Sequence, residues 1–308
     1  MQGLELAKRY FETHGAPMLE ALFPEERNRI AAGLVGEGSE CFGYDDEISR
    51  DHDFEPAFCL WITQADERAF GFRLERAYAK LPKEFAGLHR QPLSPVGGNR
   101  HGVLVIEEFY SRFLGTPDAP ESAEQWLYLP SSALAAACNG EVFCDPLGEF
   151  SRIREILKKG YPEDVRKKKL AAHLALAAQA GQYNLGRCLA HGETGAAHLA
   201  AVEFVRHSLS AIYLLNRVYE PFYKWVYRGM RNLPLCKDLE HDLVAITLGG
   251  EPAAQQERVE AVSARLIREC RAQGLTRATC DNMETHAYSI QDEIRDVNLR
   301  NLHVMEGA

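Results

Sequence analysis

Two aspartates separated by one residue are the strongest candidates for chemistry in this sequence. Asp51 and Asp53 stand in a segment whose pattern predicts a strand, where residues i and i+2 point to the same face. Both carboxylates can therefore converge on one cation, and Mg²⁺ typically combines one or two carboxylates with substrate phosphates. Upstream, Gly38 and Ser39 form a turn whose N–H groups and hydroxyl can cradle phosphate oxygens. Together these residues predict metal-assisted chemistry on a nucleoside triphosphate.

The elements that must position these residues are short strands and helices. A buried strand is predicted at 31–35, leading into the glycine turn, and a second one from Asp51 to about Ile62. Pro56 implies a bulge or an early end to the pairing of that second strand. Further strands are predicted at 101–109 and 141–144, and helices at 65–81 and 121–138.

From about residue 151 the pattern becomes helical. Helices are predicted at 151–159, 163–190, 195–228, 235–248 and 253–273. Pro and Gly cluster between 146 and 162, which predicts a boundary between a domain at 1–150 and a domain at 151–308. The charged run from Arg166 to Lys169 is typical of a solvated helix face.

Composition and charge narrow the classes of function. The chain has 308 residues and a net charge of −9, which argues against general nucleic-acid binding, since that usually requires a basic excess. No signal-peptide pattern and no apolar run of about 20 residues is present, so a cytoplasmic protein without a membrane partner is expected. The eight cysteines show no zinc-ligand spacing.

The acidic pair and the glycine turn resemble the motif of the nucleotidyltransferase-fold superfamily, which includes DNA polymerase beta and the kanamycin-type nucleotidyltransferases. The usual pattern is Gly-Ser, three residues, Gly, five residues and Ser-Asp-x-Asp. The chain matches it at Gly38, Ser39, Gly43, Ser49, Asp51 and Asp53, with Arg50 as one extra residue. More narrowly, segments 139–150 and 214–225 resemble a bacterial group catalogued as domain of unknown function 4037, which brings no substrate with it.

The resemblance implies an α+β fold. Its first part would be a nucleotidyltransferase-fold α/β domain with a short mixed sheet, and an all-helical domain that binds the acceptor or acts as a lid would follow. It also implies that Asp51 and Asp53 are catalytic and hold Mg²⁺ or Mn²⁺ against ATP or another NTP. Gly38 and Ser39 would then contact its phosphates.

A third catalytic carboxylate is less well defined. Members of the superfamily usually place it on a later strand between apolar residues, where this chain has Leu104. Glu107 is a candidate general base, or the solvated end of a strand. Asp145 is a second candidate, or an ordinary turn residue before a proline. If neither carboxylate serves, catalysis is weak or absent.

Positive partners for the triphosphate are predicted at three positions. Arg50 would contact the phosphates if the local strand is bulged. Arg76 would contact them too, unless its charged helix only faces solvent. Lys224 stands beside Tyr223 and Trp225, in a segment that is either a helix edge or a site for base stacking or acceptor binding.

The sequence therefore predicts a Mg²⁺-dependent nucleotidyltransferase that moves a nucleoside monophosphate, AMP foremost, to a hydroxyl or amine. A small-molecule acceptor held between the domains is favoured over tRNA or protein, given the acidic charge. Two alternatives stay open. One is a nucleotide-binding or interaction module that has lost turnover, and the other is a toxin–antitoxin or defence enzyme that modifies tRNA or protein.

Overall fold

The computed structural model describes residues 1–47, 55–90 and 100–308. The fold is α+β, with a small mixed sheet and a helical C-terminal region. This confirms the predicted fold class at that level.

The chain forms two compact units, and neither is a continuous stretch of sequence. The first comprises Met1–Pro120 and Ser132–Lys159, and the second comprises Glu121–Ser131 and Gly160–Ala308. The division into a domain at 1–150 and a domain at 151–308 stays a prediction.

The described strands of the first unit form a mixed sheet and a separate hairpin. They are β1 (Ala31–Leu34), β2 (Cys59–Ile62), β3 (Glu84–Phe85), β4 (Leu88–His89), β5 (Gly102–Val105) and β6 (Glu141–Cys144). The sheet has the order β5-β2-β1-β6, and β3 and β4 pair as the hairpin. The inner strand β1 runs antiparallel to β2 and β6, whereas β5 runs parallel to β2.

Three strands begin at the end of the sheet where β1 finishes, and we call this the loop end. Gly33 of β1 pairs with Cys59 at the start of β2, and Leu34 pairs with Glu141 at the start of β6. Cys59 also pairs with Gly102, the first residue of β5. The last residue of β1 and the first residues of the other three strands therefore lie at the loop end.

Helices cover both faces of the sheet. The helices of the first unit are α1 (Gly3–Tyr10), α2 (Ala16–Leu22), α3 (Ser39–Phe42), α4 (Gln64–Asp66), α5 (Phe72–Ala79), α6 (Ile106–Leu114), α8 (Ser131–Cys138) and α9 (Glu149–Lys158), whereas α7 (Ala123–Tyr128) belongs to the second unit. Short π-helical segments, Phe11–Gly15 and Glu67–Gly71, join α1 to α2 and α4 to α5.

Strand β2 shows why two helical layers are needed. Alternate side chains of a strand point to opposite faces. Leu60 and Ile62 pack in the core formed with α1, α2 and α5. On the other face, Trp61 stacks on Phe150 of α9 with ring centroids 3.9 Å apart, and it meets Phe109 of α6 edge-on. All four residues of β2 are buried, as expected for a strand covered on both sides.

In the described residues, the strand predicted from Asp51 to Ile62 is present only from Cys59 to Ile62. Residues 48–54 lie outside the described residues, and from residue 55 onward only β2 is strand. The chain bends at Glu55 and Pro56. Proline has no N–H, so Pro56 cannot donate to a neighbouring strand. In the described residues, pairing thus begins only after Pro56, at Cys59, and the choice between a bulge and an early end stays open.

Two other predicted elements also differ from the structure. The strand predicted at 101–109 ends at Val105, and α6 follows at once with Glu107 and Glu108 in its first turn. Carboxylates are favoured there by the positive end of the helix dipole. The helix predicted at 121–138 is split into α7 and α8 around Pro130, which lacks the N–H that a continuous helix requires.

The second unit is helical throughout its described core. From residue 160 its helices are α10 (Glu163–Ala177), α11 (Gly186–Ala190), α12 (Thr194–Leu215), α13 (Val226–Met230), α14 (Glu240–Leu248), α15 (Pro252–Ala272), α16 (Met283–Asp292) and α17 (Val297–Asn301). A π-helical segment, Ala178–Leu185, joins α10 to α11. The helix predicted at 195–228 ends at Leu215, six residues before Pro221. Within the described ranges, no helix combines the length and apolar character needed to cross a bilayer.

The prediction that Arg166 to Lys169 form a solvated face was wrong. Arg166, Lys168 and Lys169 are buried, with exposed fractions of 2%, 0% and 8%. Helix α10 lies in the middle of the second unit, packed against both α12 and α16, so these side chains have no water-facing side. Their positive groups instead donate to the carbonyls of Leu214, His303, Val304 and Gly307, to the Gln291 amide oxygen and to the Glu163 carboxylate.

Glu163, at the start of α10, is the anionic partner of the buried Arg166. Its carboxylate accepts from Arg166 Nη2 at 2.7 Å and from Arg217 Nη1 at 2.8 Å. Burial raises the pKa of Glu163, but the hydrogen bonds from the two arginines outweigh it and lower that pKa from 4.5 to about 2. The pair therefore contributes its full stability above pH 4.5, and this contribution is lost as the pH falls towards 2.

Glu163→Gln is expected to lower the free energy of unfolding by about 1 kcal/mol at pH 7, since the exposed part of the carboxylate is screened by water. The difference from wild type should shrink at pH 3, where the unfolded chain is already mostly protonated at this position. Urea denaturation at both pH values measures it. Glu257→Gln, at an exposed position of the same unit, should stay within about 0.5 kcal/mol at both. A Glu163→Gln difference that is equal at pH 7 and pH 3 would contradict the assigned pairing.

Candidate functional site

The predicted phosphate turn leaves β1 at the loop end of the sheet. After Leu34 the chain turns through Gly36, which has φ +147°, and reaches Gly38, the residue that caps the start of α3. Ser39 is the first residue of that helix, and Gly43 ends it in the left-handed conformation. The structure thus gives the predicted strand and glycine turn, and it adds a short helix, α3, that the sequence did not predict.

Asn139 holds this turn by a pair of hydrogen bonds to a single residue. Its Oδ1 accepts from the Gly36 N–H at 2.9 Å, and its Nδ2 donates to the Gly36 carbonyl at 2.6 Å. Because both polar groups of Gly36 are bound by one amide, the chain direction after β1 is fixed. Asn139 stands two residues before β6, so the pairing of β6 with β1 brings it to the turn.

A buried arginine in turn supports Asn139. Arg154 of α9 donates through Nη2 to the carbonyls of Asn139 and Gly140, at 2.9 Å and 2.8 Å. The Gly140 N–H donates to the carbonyl of Cys41 in α3 at 2.9 Å. The segment 139–140 therefore links the turn, α3 and α9, so that three elements are fixed together at the loop end.

Asn139→Ala is expected to lower the free energy of unfolding by about 2 kcal/mol, since two hydrogen bonds to Gly36 are lost at about 1 kcal/mol each. Chemical denaturation followed by tryptophan fluorescence measures the change. Asn28→Ala removes an exposed amide from the same unit and should change stability by less than about 0.5 kcal/mol. Equal effects of the two substitutions would show that Asn139 does not hold the turn.

A carboxylate already lies against the start of α3. A Cβ atom added to Gly38 would fall 1.8 Å from Glu40 Oε1 and 2.4 Å from Oε2. The place beside Gly38 can thus take an anionic group, as a phosphate-binding turn requires. A phosphate bound there must displace the Glu40 side chain, and the small Gly38 leaves the space for both arrangements.

The predicted metal ligands lie outside the described residues. Asp51, Asp53 and the predicted phosphate partner Arg50 all belong to segment 48–54. The segment ends at Glu55, which is described and whose carboxylate lies 3.5 Å from Nδ1 of His101, just before β5. Glu55 precedes β2 and lies beside His101, so it stands at the loop end. Within the ranges 1–47, 55–90 and 100–308, no three His, Cys, Asp or Glu side chains are grouped as a metal site requires.

Both candidates for a third carboxylate bind backbone N–H groups at the starts of helices. Glu107 lies in the first turn of α6, and its two oxygens accept from the Gln64 N–H at 3.0 Å and 3.2 Å, at the start of α4. Asp145 accepts from the N–H groups of Gly148 at 3.1 Å and Ser151 at 2.7 Å, at the start of α9. These contacts give each carboxylate a structural role, and a role as general base stays a prediction for either.

The other predicted phosphate contacts are exposed side chains that lie over aromatic rings. Arg76 of α5 lies over the ring of Phe72, 5.7 Å from its centroid. Lys224 lies over Trp225 at 4.8 Å, in a 3₁₀ turn of the second unit. Each cation is thus placed by an aromatic neighbour, and their contact with a nucleotide stays a prediction.

Sequence reasoning did not single out Asn139 or Arg154 as residues of this site. Segment 139–150 contains a predicted strand at 141–144, the candidate carboxylate Asp145 and the resemblance to a family, but none of these points to Asn139. The signal available was an Asn-Gly pair directly before a predicted strand, which is typical of a constrained turn. Nothing in the sequence indicated that this turn would meet Gly36.

Residues 126–226 match the family model described as domain of unknown function (DUF4037). The match spans about a third of the 308 residues. It confirms the resemblance to that group, and it includes both segments, 139–150 and 214–225, that carried the resemblance. No curated protein and no solved structure matches the chain at a significant level. Membership of the nucleotidyltransferase-fold superfamily stays a prediction.

Proposed function

We propose that this chain is a Mg²⁺-dependent nucleotidyltransferase that transfers a nucleoside monophosphate, AMP from ATP foremost, to a hydroxyl or amine of a small molecule. The observation that carries the proposal is the arrangement at the loop end. There a strand, a glycine turn and a short helix precede Asp51 and Asp53 along the sequence, and the described chain resumes at Glu55, beside His101 just before β5. We further propose that the chain acts in the cytoplasm.

In the proposed reaction, the acceptor oxygen or nitrogen attacks the α-phosphorus of the triphosphate. The bond from the α-phosphorus to the oxygen that bridges to the β-phosphate breaks, pyrophosphate leaves, and the acceptor proton passes to a base. Asp51 and Asp53 would hold Mg²⁺ or Mn²⁺, which neutralises the charge that develops on the phosphates. The turn at Gly38 and Ser39 would orient the phosphates through N–H groups and a hydroxyl.

The site residues fit a phosphate in two respects. The turn is fixed by Asn139 through Gly36, so its N–H groups do not have to be ordered when the substrate binds. The place beside Gly38 accepts the Glu40 carboxylate, which shows room for an anionic oxygen.

A non-catalytic nucleotide-binding module is the second candidate. It is favoured by the contacts of Glu107 and Asp145, because both candidate bases are engaged with backbone N–H groups at helix starts. Such a module would bind an NTP and release it unchanged. A nucleotidyltransferase that acts on tRNA or protein stays a third possibility, which the choice of acceptor in the test distinguishes.

The test is incubation of the full chain with each α-³²P-labelled NTP and Mg²⁺, together with a metabolite extract, tRNA or a protein extract in separate reactions. The proposal expects a labelled small-molecule product with one NTP and release of pyrophosphate. Label on tRNA or protein would support the third candidate. Nucleotide binding measured by calorimetry without any product would support the module. The absence of both product and binding would overturn all three.

A further inference from the structure

A cavity of about 560 Å³ lies within the second unit. Its wall is formed by α10 and α12, by the segment 127–131, and by residues near 220 and 305–308. A volume of this size is in the range of small-molecule sites. Most of the lining is apolar or aromatic, and a few charged and hydroxyl groups point to a ligand that is polar at defined places.

Lys169 supplies a buried positive charge to the cavity wall. It is 8% exposed, and among the described residues its ammonium donates to the Gly307 carbonyl at 2.8 Å and lies over the ring of Tyr161. An ammonium group has three N–H bonds, so two remain for a ligand. Burial lowers the pKa of Lys169 to about 8, although Glu220 acts to raise it, so the group is still mostly protonated at pH 7.

Glu220 supplies a half-buried carboxylate to the same wall. Its Oε2 accepts from the Ser210 hydroxyl at 2.5 Å, and its backbone N–H donates to Ser131 at 2.7 Å. A carboxylate can accept more than one hydrogen bond, so acceptor capacity remains. Burial raises the pKa of Glu220, and the Ser210 hydroxyl, Arg206 and Lys169 act to lower it. The described part of the chain has no ion pair between Lys169 and Glu220. The two charges therefore line one cavity without neutralising each other directly.

The remaining polar groups add no positive charge. His173 lines the cavity and its Nδ1 lies 3.0 Å from Nδ1 of His207, so one ring must accept and is neutral there. Burial lowers the pKa of both rings, that of His207 to about 4. Glu306, which accepts from the Tyr128 hydroxyl at 2.9 Å, adds a second carboxylate. Lys169 is thus the cation among the described side chains of this wall.

We infer that this cavity binds a small zwitterion of the α-amino acid class, with the ligand carboxylate on Lys169 and the ligand ammonium on Glu220. Buried charges are costly unless a partner of opposite charge compensates them. A zwitterion compensates both charges at once. A dicarboxylate would place like charge beside Glu220 and Glu306, and a neutral polyol would compensate neither charge.

The test is isothermal titration of the full chain with each of the standard L-amino acids, without nucleotide. We expect saturable binding of at least one amino acid, with one site per chain. For the amino acid that binds, the analogue without the amino group and the analogue without the carboxylate should each bind at least about tenfold more weakly, because each loses one charge-assisted hydrogen bond. This comparison uses the wild-type protein, so it does not depend on how any variant folds.

Two substitutions assign the contacts. Lys169→Met and Glu220→Gln should each weaken binding of the amino acid by at least about tenfold. Lys167→Met is the matched control, because Lys167 lies on the same helix, donates to a single carbonyl and does not line the cavity. It should change affinity by less than about twofold. The inference is overturned if no amino acid binds, if the analogues bind as well as the amino acid, or if a polyol or dicarboxylate binds more tightly.

Because nucleotide is absent from this titration, its outcome is independent of nucleotidyl transfer. Failure to bind amino acids would leave the proposed activity standing, and failure to transfer a nucleotide would leave this site standing.

Discussion

Replacing Asp51 and Asp53 together by asparagine is expected to reduce nucleotidyl transfer by at least about a thousandfold. Asparagine has nearly the same shape as aspartate but no negative charge, so the metal that neutralises the triphosphate would no longer be held. Charge stabilisation of this kind lowers the activation barrier by several kcal/mol, and each 1.36 kcal/mol of barrier changes the rate about tenfold. The measurement is the rate of labelled product formation at saturating NTP and Mg²⁺.

Glu47→Gln is the matched control for this variant. Glu47 is an exposed carboxylate in the same connection between α3 and β2, four residues before Asp51. Its loss removes one charge nearby and should change the rate by less than about twofold. If the double variant keeps a tenth or more of the wild-type rate while circular dichroism shows an unchanged fold, the assignment of the two aspartates is wrong.

Gly140→Ala is expected to lower the free energy of unfolding by about 3 kcal/mol or more. Gly140 has φ +58°, and an added Cβ atom would lie 1.9 Å from the carbonyl oxygen of Leu34. That oxygen belongs to the backbone of β1, so it cannot move aside as the end of a flexible side chain could. The substitution must therefore displace β1 from β6 or the turn from Asn139. Urea denaturation of the purified protein measures the loss.

Gly115→Ala separates the two contributions to this loss. Gly115, which ends α6, has φ +71°, and a Cβ atom there would meet nothing within 4 Å. It should therefore lose only the cost of the left-handed conformation, about 1 kcal/mol. The same loss at both positions would show that the close approach to Leu34 contributes nothing.

The sequence predicts the elements best where one local signal dominates. The apolar run at 31–35 and the segment at 141–144 are each strands in the structure. Helices α9, α10 and α15 follow their periodic patterns closely, since each begins and ends within two residues of the predicted ends or continues directly into another helical segment. The break at Pro130 was not predicted, although proline lacks the N–H that a continuous helix requires.

Burial of charge is where the sequence misleads. A run such as Arg166 to Lys169 is solvated in most helices, but α10 is packed on several sides. Three cations can be buried there because carbonyls of distant segments, such as His303 and Val304, accept their hydrogen bonds. Such acceptors are backbone carbonyl groups, which every residue has, so they cannot be predicted from the pattern of side chains.

The candidate site shows the same limit. Gly38 and Ser39 could be placed from the sequence because the predicted strand and the glycine turn are neighbours along the chain. Asn139 could not, because it lies about one hundred residues from Gly36 and meets it only when β6 pairs with β1. The engagement of Glu107 with Gln64 likewise depends on the parallel pairing of β5 with β2.

The discontinuous first unit has consequences for folding during synthesis and for the choice of recombinant fragments. Strand β1 is flanked by β2 and β6, yet β6 enters the first unit only after the chain has contributed Glu121–Ser131 to the second. On the ribosome, one side of β1 therefore stays unpaired for about one hundred residues of synthesis, and an open strand edge is a template for aggregation. A recombinant piece that stops at Pro120 keeps this open edge permanently. A fragment that stops at Lys159 includes β6 and closes this edge, but it also contains α7 without the rest of the second unit. No single truncation point therefore gives the complete sheet without part of the second unit. We expect chaperones to bind the nascent chain after β1 has been made and before β6 has.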